Sequence, residues 1–239
     1  MSAEVAAELP EVAAPPREAL DRRAALRAVA GRVPQSSPVL ASQRPRPVRG
    51  PYAEVFPDGL RPGTSIAVSA ARPALEATAL RNAIALAAGV VPPDGWVAAV
   101  GVSSLGVLAA VEAGLALEHL VFLDAPASAW GNVAVAAVDA FDVVVLAVPA
   151  RPRLAEVRRL AGRARERSTT VIATGPGAAS WGGEARVVTS AVAWDGLSDG
   201  HGSLHTCRVT VDLDGRGSIR SRRMELVLPS ASGAGGLSA

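Results

Sequence analysis

Five continuous apolar runs, spaced by helical stretches, constrain this chain more than any other feature. They are 64–69 "TSIAVS", 96–101 "WVAAVG", 120–123 "LVFL", 142–148 "DVVVLAV" and 169–174 "TTVIAT". A strand with one wet face alternates apolar and polar residues. These runs do not alternate, so both of their faces must be buried. Helical stretches near 73–88, 104–114, 131–140 and 151–167 separate them. Such strand–helix alternation predicts an α/β fold, a mostly parallel sheet flanked by helices. Residues 204–213 and 217–228 then read as a C-terminal β-hairpin around "DLDGRGS", with Asp214-Gly215 as the turn.

The ends read differently. Residues 1–16 and 229–239 are expected to be disordered tails, rich in Ala, Glu and Pro or in Gly, Ser and Ala. Residues 17–51 read as an arm: a short helix over 17–30, carrying Leu20, Ala24, Leu26 and Ala28, then an extended linker. That linker, 31–51, holds five prolines and four arginines. The foldable core is expected over 52–228, entered through the turn "FPDGLRPG". Its length suits one domain.

Composition removes several chemistries. All 24 basic residues are arginine, so a P-loop lysine, a Schiff-base lysine and a lysine base are excluded. The net charge of +2 leaves any DNA contact to local clusters. The single cysteine, Cys207, rules out an internal disulfide framework and fits a reducing cytoplasm. No apolar run reaches the roughly 18 residues of a membrane span, and the acidic N-terminus lacks a signal-peptide pattern. A cytoplasmic protein without membrane contact is expected.

The order of the elements carries a resemblance. "GLRPGTSIAVSAARPALEATALRNAIALAAG" is similar to the RecA/RadA core around its first strand and P-loop. "GWVAAVGVSSLGVLAAVEAGLALEHLVFLDAP" resembles the next RecA segment, including the rhythm over Ala113–Leu120. "AVDAFDVVVLAVPA" looks like the segment ending in the Walker B strand, and "DGHGSLHTCRVTVDLDGRGSIRSRRMELVL" like the late RecA hairpin. The resemblance covers roughly 56–228 and implies a RecA-like core.

The catalytic residues do not carry over. A P-loop needs glycines, a lysine on the β/γ oxygens and a magnesium-binding Ser or Thr. In this register those positions hold Ala70, Leu75, Glu76 and Ala77. A glutamate ~4 Å from a phosphate charge would be repelled by about 4 kcal/mol at an effective dielectric of 20. The Walker B acid is replaced by Ala147, and the recombinase catalytic glutamate by Val102. The resemblance thus implies no enzyme and no cofactor.

A RecA-like chain without Walker motifs resembles the actinobacterial ImuA′ type, an accessory protein of SOS mutagenesis cassettes. That resemblance implies a scaffold in damage-induced translesion DNA synthesis. Its partners would be an ImuB-like inactive Y-family polymerase homologue, an error-prone C-family polymerase and RecA, with weak DNA binding at most. Two alternatives stay open: a regulator of RecA filaments or SulA-like division inhibitor, and an enzyme with an altered nucleotide pocket.

Candidate contact residues are few. The stretch 151–167 carries Arg151, Arg153, Arg158, Arg159, Arg163, Arg165 and Arg167 around an apolar face of Leu154, Val157, Leu160, Ala161 and Ala164. It reads as a solvated helix face or a phosphate-backbone surface. Residues 175–203 read as a Gly-rich loop in the place of a mobile DNA-binding loop. In it Trp194 is expected in the core at the end of a short strand, "RVVTSAVAW", while Trp181 is either core or contact. Arg216, Arg220, Arg222 and Arg223 form an expected exposed cluster. His201, His205 and Cys207 lack a fourth ligand for zinc, so no metal is expected.

Overall fold

A computed structural model describes residues 44–198, 201–217 and 219–228. The helix expected over 17–30 and both tails lie outside these residues.

Eight strands form one sheet, in the order β3-β2-β4-β5-β1-β6-β7-β8. They are β1 Ser65–Ala70, β2 Val97–Val100, β3 Leu120–Leu123, β4 Val143–Ala147, β5 Thr170–Thr174, β6 Ala185–Ser198, β7 His201–Gly215 and β8 Arg222–Leu228. The pairs among β1 to β6 are parallel, and β7 is antiparallel to both of its neighbours. Four α-helices join the strands: α1 Glu76–Val90, α2 Val107–Glu112, α3 Trp130–Ala140 and α4 Leu154–Arg167. The protein is therefore α/β, with a mostly parallel sheet flanked by helices and an antiparallel C-terminal part.

The apolar runs become strands because both of their faces are covered. Ile66, Val68, Val97, Ala99, Val143, Val145 and Ile172 share a core with α1 residues Ala83, Ile84 and Leu86. The intervening Ala67, Ala98, Val144, Leu146, Val171 and Ala173 are equally buried. Alternation turns them to the opposite face, where Ala134, Val138, Val157, Leu160 and Ala164 of α3 and α4 are buried.

Packing begins before residue 52. Arg46 bridges to Leu60, and Val48 is buried. The Arg49 guanidinium donates 2.6 Å to the Val91 carbonyl, at the C-terminal end of α1. Its backbone N–H donates to the Gly89 carbonyl. A Cβ on Gly89 would meet the Arg49 carbonyl oxygen at 2.6 Å, so only glycine lets this strap lie on α1. The strap is fastened inside by Asn82. The Tyr52 hydroxyl donates 3.0 Å to Asn82 Oδ1, and Asn82 Nδ2 donates 2.9 Å to Thr189 Oγ1 on β6. All three residues are fully buried. Burial pushes the Tyr52 hydroxyl far up, so it stays a neutral donor.

Two expectations change. The 175–203 segment is mostly not a loop. Residues 175–184 are a crossover returning the chain to the start of β6, and the rest is a hairpin of β6 and β7. β6 registers with β1 up to Ala70↔Thr189, and its remaining residues run past the end of β1 as a two-stranded arm. Asp214-Gly215 is not the turn either. Gly215 still pairs with Ala185, and the chain reverses over 216–221, with Gly217 at φ 66°.

Candidate functional site

Parallel register brings the ends of β1, β2, β4 and β5 to one edge of the sheet. This edge is where open α/β sheets bind ligands, and where the resemblance implies a P-loop. Ala70 ends β1, Val102 follows β2, and Ala147 ends β4. A Cβ on Gly101 would touch the methyl groups of Ala125 and Ala147 at 3.5 Å, so these turns lie side by side.

The geometry at this corner does not suit a phosphate. Residues Pro73–Leu75 form a 3₁₀ turn leading into α1. Two amides here are used internally: Leu75 N–H donates to the Arg72 carbonyl and Glu76 N–H to the Pro73 carbonyl. Pro73 has no N–H at all. A phosphate cradle needs converging free amides. The Leu75 side chain is 2% exposed and fills the interior, while Glu76 and Ala77 face solvent. At the end of β4, Trp130 Nε1 donates 2.7 Å to the Ala147 carbonyl, so a buried indole closes that strand. Val102 is buried in the core. None of these residues borders the cavity of about 360 Å³ that lies by Arg49, Gly89, Leu115 and His119.

Beside the corner, Arg81 of α1 joins three elements. It pairs with Glu112 of α2 at 3.2 Å, and its guanidinium lies 5.4 Å from the ring centre of Trp194 on β6. Trp194 is 39% exposed, contrary to its expected place in the core, because it stands on the part of β6 beyond β1. Trp181 is resolved the other way. It is 1% exposed, and its Nε1 donates 2.7 Å to Ser65 Oγ at the start of β1. It packs the crossover onto the sheet and cannot be a partner or DNA contact in this fold.

The arginines divide in the same manner. Arg163 grips Asp139 of α3 at 2.6 and 3.2 Å and Glu166 at 3.0 Å, and Arg167 reaches the same Asp139 at 3.0 Å. Burial alone would raise the Asp139 carboxyl. The bonds from Arg163 and Arg167 outweigh it and hold the group below its ordinary value. Arg163 therefore clamps α3 to α4 rather than standing free. Arg151, Arg153, Arg158 and Arg159 are exposed and form no ion pair among the described residues. Leu154, expected on the apolar face, is also exposed, because it begins the helix.

In the C-terminal cluster Arg216 and Arg220 are exposed and form no ion pair among the described residues. Arg223 pairs with Asp212. Arg222, expected exposed, is half-buried and donates 2.6 Å to the Val55 carbonyl of the strap. Cys207 is buried, and burial raises its thiol. The His201 and His205 side chains are not among those described. Among the described residues no three His, Cys, Asp or Glu gather as metal ligands.

A family model described as "MT3502 N-terminal domain" matches residues 54–182, more than half of the chain. The chain belongs to this family. The MT3502 N-terminal domain here runs from the strap through β5 and the crossover. It holds the whole corner, the α3–α4 clamp and Trp181, and it stops short of β6. The chain is also similar to the uncharacterized protein Rv3395c of Mycobacterium tuberculosis, at 34% identity over 126 residues. That match covers 52% of this chain and 58% of the relative, so the chain spans little more than half of that protein's length.

Three features were not legible beforehand: the Tyr52–Asn82–Thr189 network, Trp130 over Ala147, and an exposed apolar surface around α2 and β3. Only the last left a sequence trace. Residues 82–150 contain no arginine or lysine, while six acids fall there.

Proposed function

We propose that this chain is a RecA-like protein without nucleotide chemistry. In this reading it serves as a scaffold in damage-induced translesion DNA synthesis and binds an ImuB-like inactive polymerase homologue. The observation that carries it is the corner at Ala70–Ala77, Val102 and Ala147. A strand–turn–helix unit stands where the resemblance implies a phosphate site, with the Leu75 and Glu76 amides spent, Leu75 turned inward and an indole over the β4 carbonyl. A fold that keeps this unit while filling its pocket retains surfaces for partners, not a site for turnover. The match to the MT3502 N-terminal domain family is compatible with this reading.

Weak DNA binding would fall to the unpaired Arg151, Arg153, Arg158 and Arg159, as phosphate contacts without sequence readout. Error-prone C-family polymerase and RecA would join through the complex.

Co-expression of the full chain with an ImuB-like polymerase homologue tests the proposal. A stable complex on size-exclusion chromatography at micromolar concentration is expected. Two separate peaks at that concentration would sink the scaffold reading.

A further inference from the structure

Among the described residues, one edge of the sheet is bare. There β3 has a single strand neighbour, β2, so the outer edge of Leu120–Leu123 offers backbone groups with no strand partner among the described residues. Natural edges are usually blunted by lysine, proline, a bulge or an inward charge. "LVFL" has none of these.

Exposed apolar side chains occur on β3 and on the segment that leads into it. Phe122 is 43% exposed and registers with Ala99, which belongs to the core under α1 and α2. Alternation therefore puts Phe122 on the α2 face of the sheet. On α2, Val107, Leu108 and Val111 turn outward opposite the buried Ala110, with Leu108 at 64%, and Leu117 is exposed in the turn before β3.

The carboxylates that flank β3 in the sequence have no arginine beside them. Glu118 and Asp124 bracket β3 at its two ends. Both are exposed and form no ion pair among the described residues. Along the chain, no arginine occurs between Arg81 and Arg151, and His119 is the one histidine in that stretch.

We propose that the β3 edge and the exposed face of α2 form a docking surface for an extended apolar segment of another protein that carries a basic residue at each end. Such a segment would add to β3 as a ninth strand. Its backbone would satisfy the open edge, its alternate side chains would meet Phe122 and α2, and its end cations would meet Glu118 and Asp124. β3 spans about 13 Å, so the match needs only a short peptide. Taking the occupant to be another protein rests on the scaffold reading.

The test uses the full chain and fluorescein-labelled peptides of alternating Val and Thr, followed by anisotropy at low salt. One peptide has a pair of arginines at each end, a second has glutamates there, and a third is the arginine peptide with a proline centre. The arginine peptide is expected to bind, and the other two are not. Glu118→Arg combined with Asp124→Arg should weaken the arginine peptide about tenfold and admit the glutamate peptide. The milder Glu118→Gln with Asp124→Asn should fall between.

No binding of the arginine peptide, or equal binding by the charge-reversed chain, would overturn the proposal. So would equal binding of the proline peptide, which would mean charge attraction without strand addition. Sedimentation of the full chain is the further control: self-association abolished by Phe122→Asp would assign the edge to a second copy instead. A negative peptide result beside an intact polymerase-homologue complex would leave the scaffold reading standing on another surface.

Discussion

Replacing Trp181 by alanine is expected to destabilise the fold by about 3–5 kcal/mol, read as a lowered urea midpoint in circular dichroism. The indole is buried where the crossover meets β1, and its N–H is spent on Ser65 Oγ. Alanine would leave a cavity and a buried hydroxyl without its donor. Trp181→Phe keeps most of the volume and loses only the hydrogen bond, so about 1–2 kcal/mol is expected. The opposite pattern belongs to a surface contact: an unchanged midpoint with weakened partner binding. A loss under about 1 kcal/mol for Trp181→Ala would contradict the buried placement.

Asn82→Ala should cost a similar amount, about 2–6 kcal/mol, through a different mechanism. One side chain of α1 satisfies both Tyr52 in the strap and Thr189 on β6. Its loss leaves two buried hydroxyls unpaired at once, each at about 1–3 kcal/mol. Tyr52→Phe removes one of these groups and should cost less. The double variant should then cost less than the sum of the two, by roughly 0.5–3 kcal/mol of coupling. Strict additivity in denaturant unfolding would show that the three residues do not act as one network.

How far the sequence speaks follows from how local each signal is. The five parallel strands were legible because burial on both faces leaves an unbroken apolar run, and the helices between them followed from spacing. β6 was not legible as a long strand. Its first part lies between β1 and β7 and alternates buried and less buried residues, which is why "RVVTSAVAW" reads as a short strand, while the rest runs past β1 and mixes exposed and half-buried residues. That second part carries neither strand pattern, so it reads as loop. Asp214-Gly215 carries a turn signal, but pairing to Ala185 and Arg186 holds both residues in β7.

At the candidate site the residue types were legible. Ala70, Leu75, Glu76, Ala77, Val102 and Ala147 are identities, and none of them supplies P-loop or Walker B chemistry. What fills this corner was not legible, because Trp130 meets Ala147 only through the fold. The same holds for Trp181, whose deciding partner, Ser65, lies 116 residues away. Arg163 and Arg222 are likewise claimed by tertiary partners, Asp139 and the Val55 carbonyl. Charge density along the chain therefore overstates the free basic surface.

The central claim is that the corner between β1 and α1 holds no nucleotide, and thermal unfolding of the full chain with saturating magnesium ATP or ADP tests it most directly. A site filled to 100 times its dissociation constant would add about 2.7 kcal/mol, raising Tm by about 5 °C or more in a chain of this size. An unchanged Tm across the titration is the predicted result. A saturable rise with either nucleotide would contradict the account.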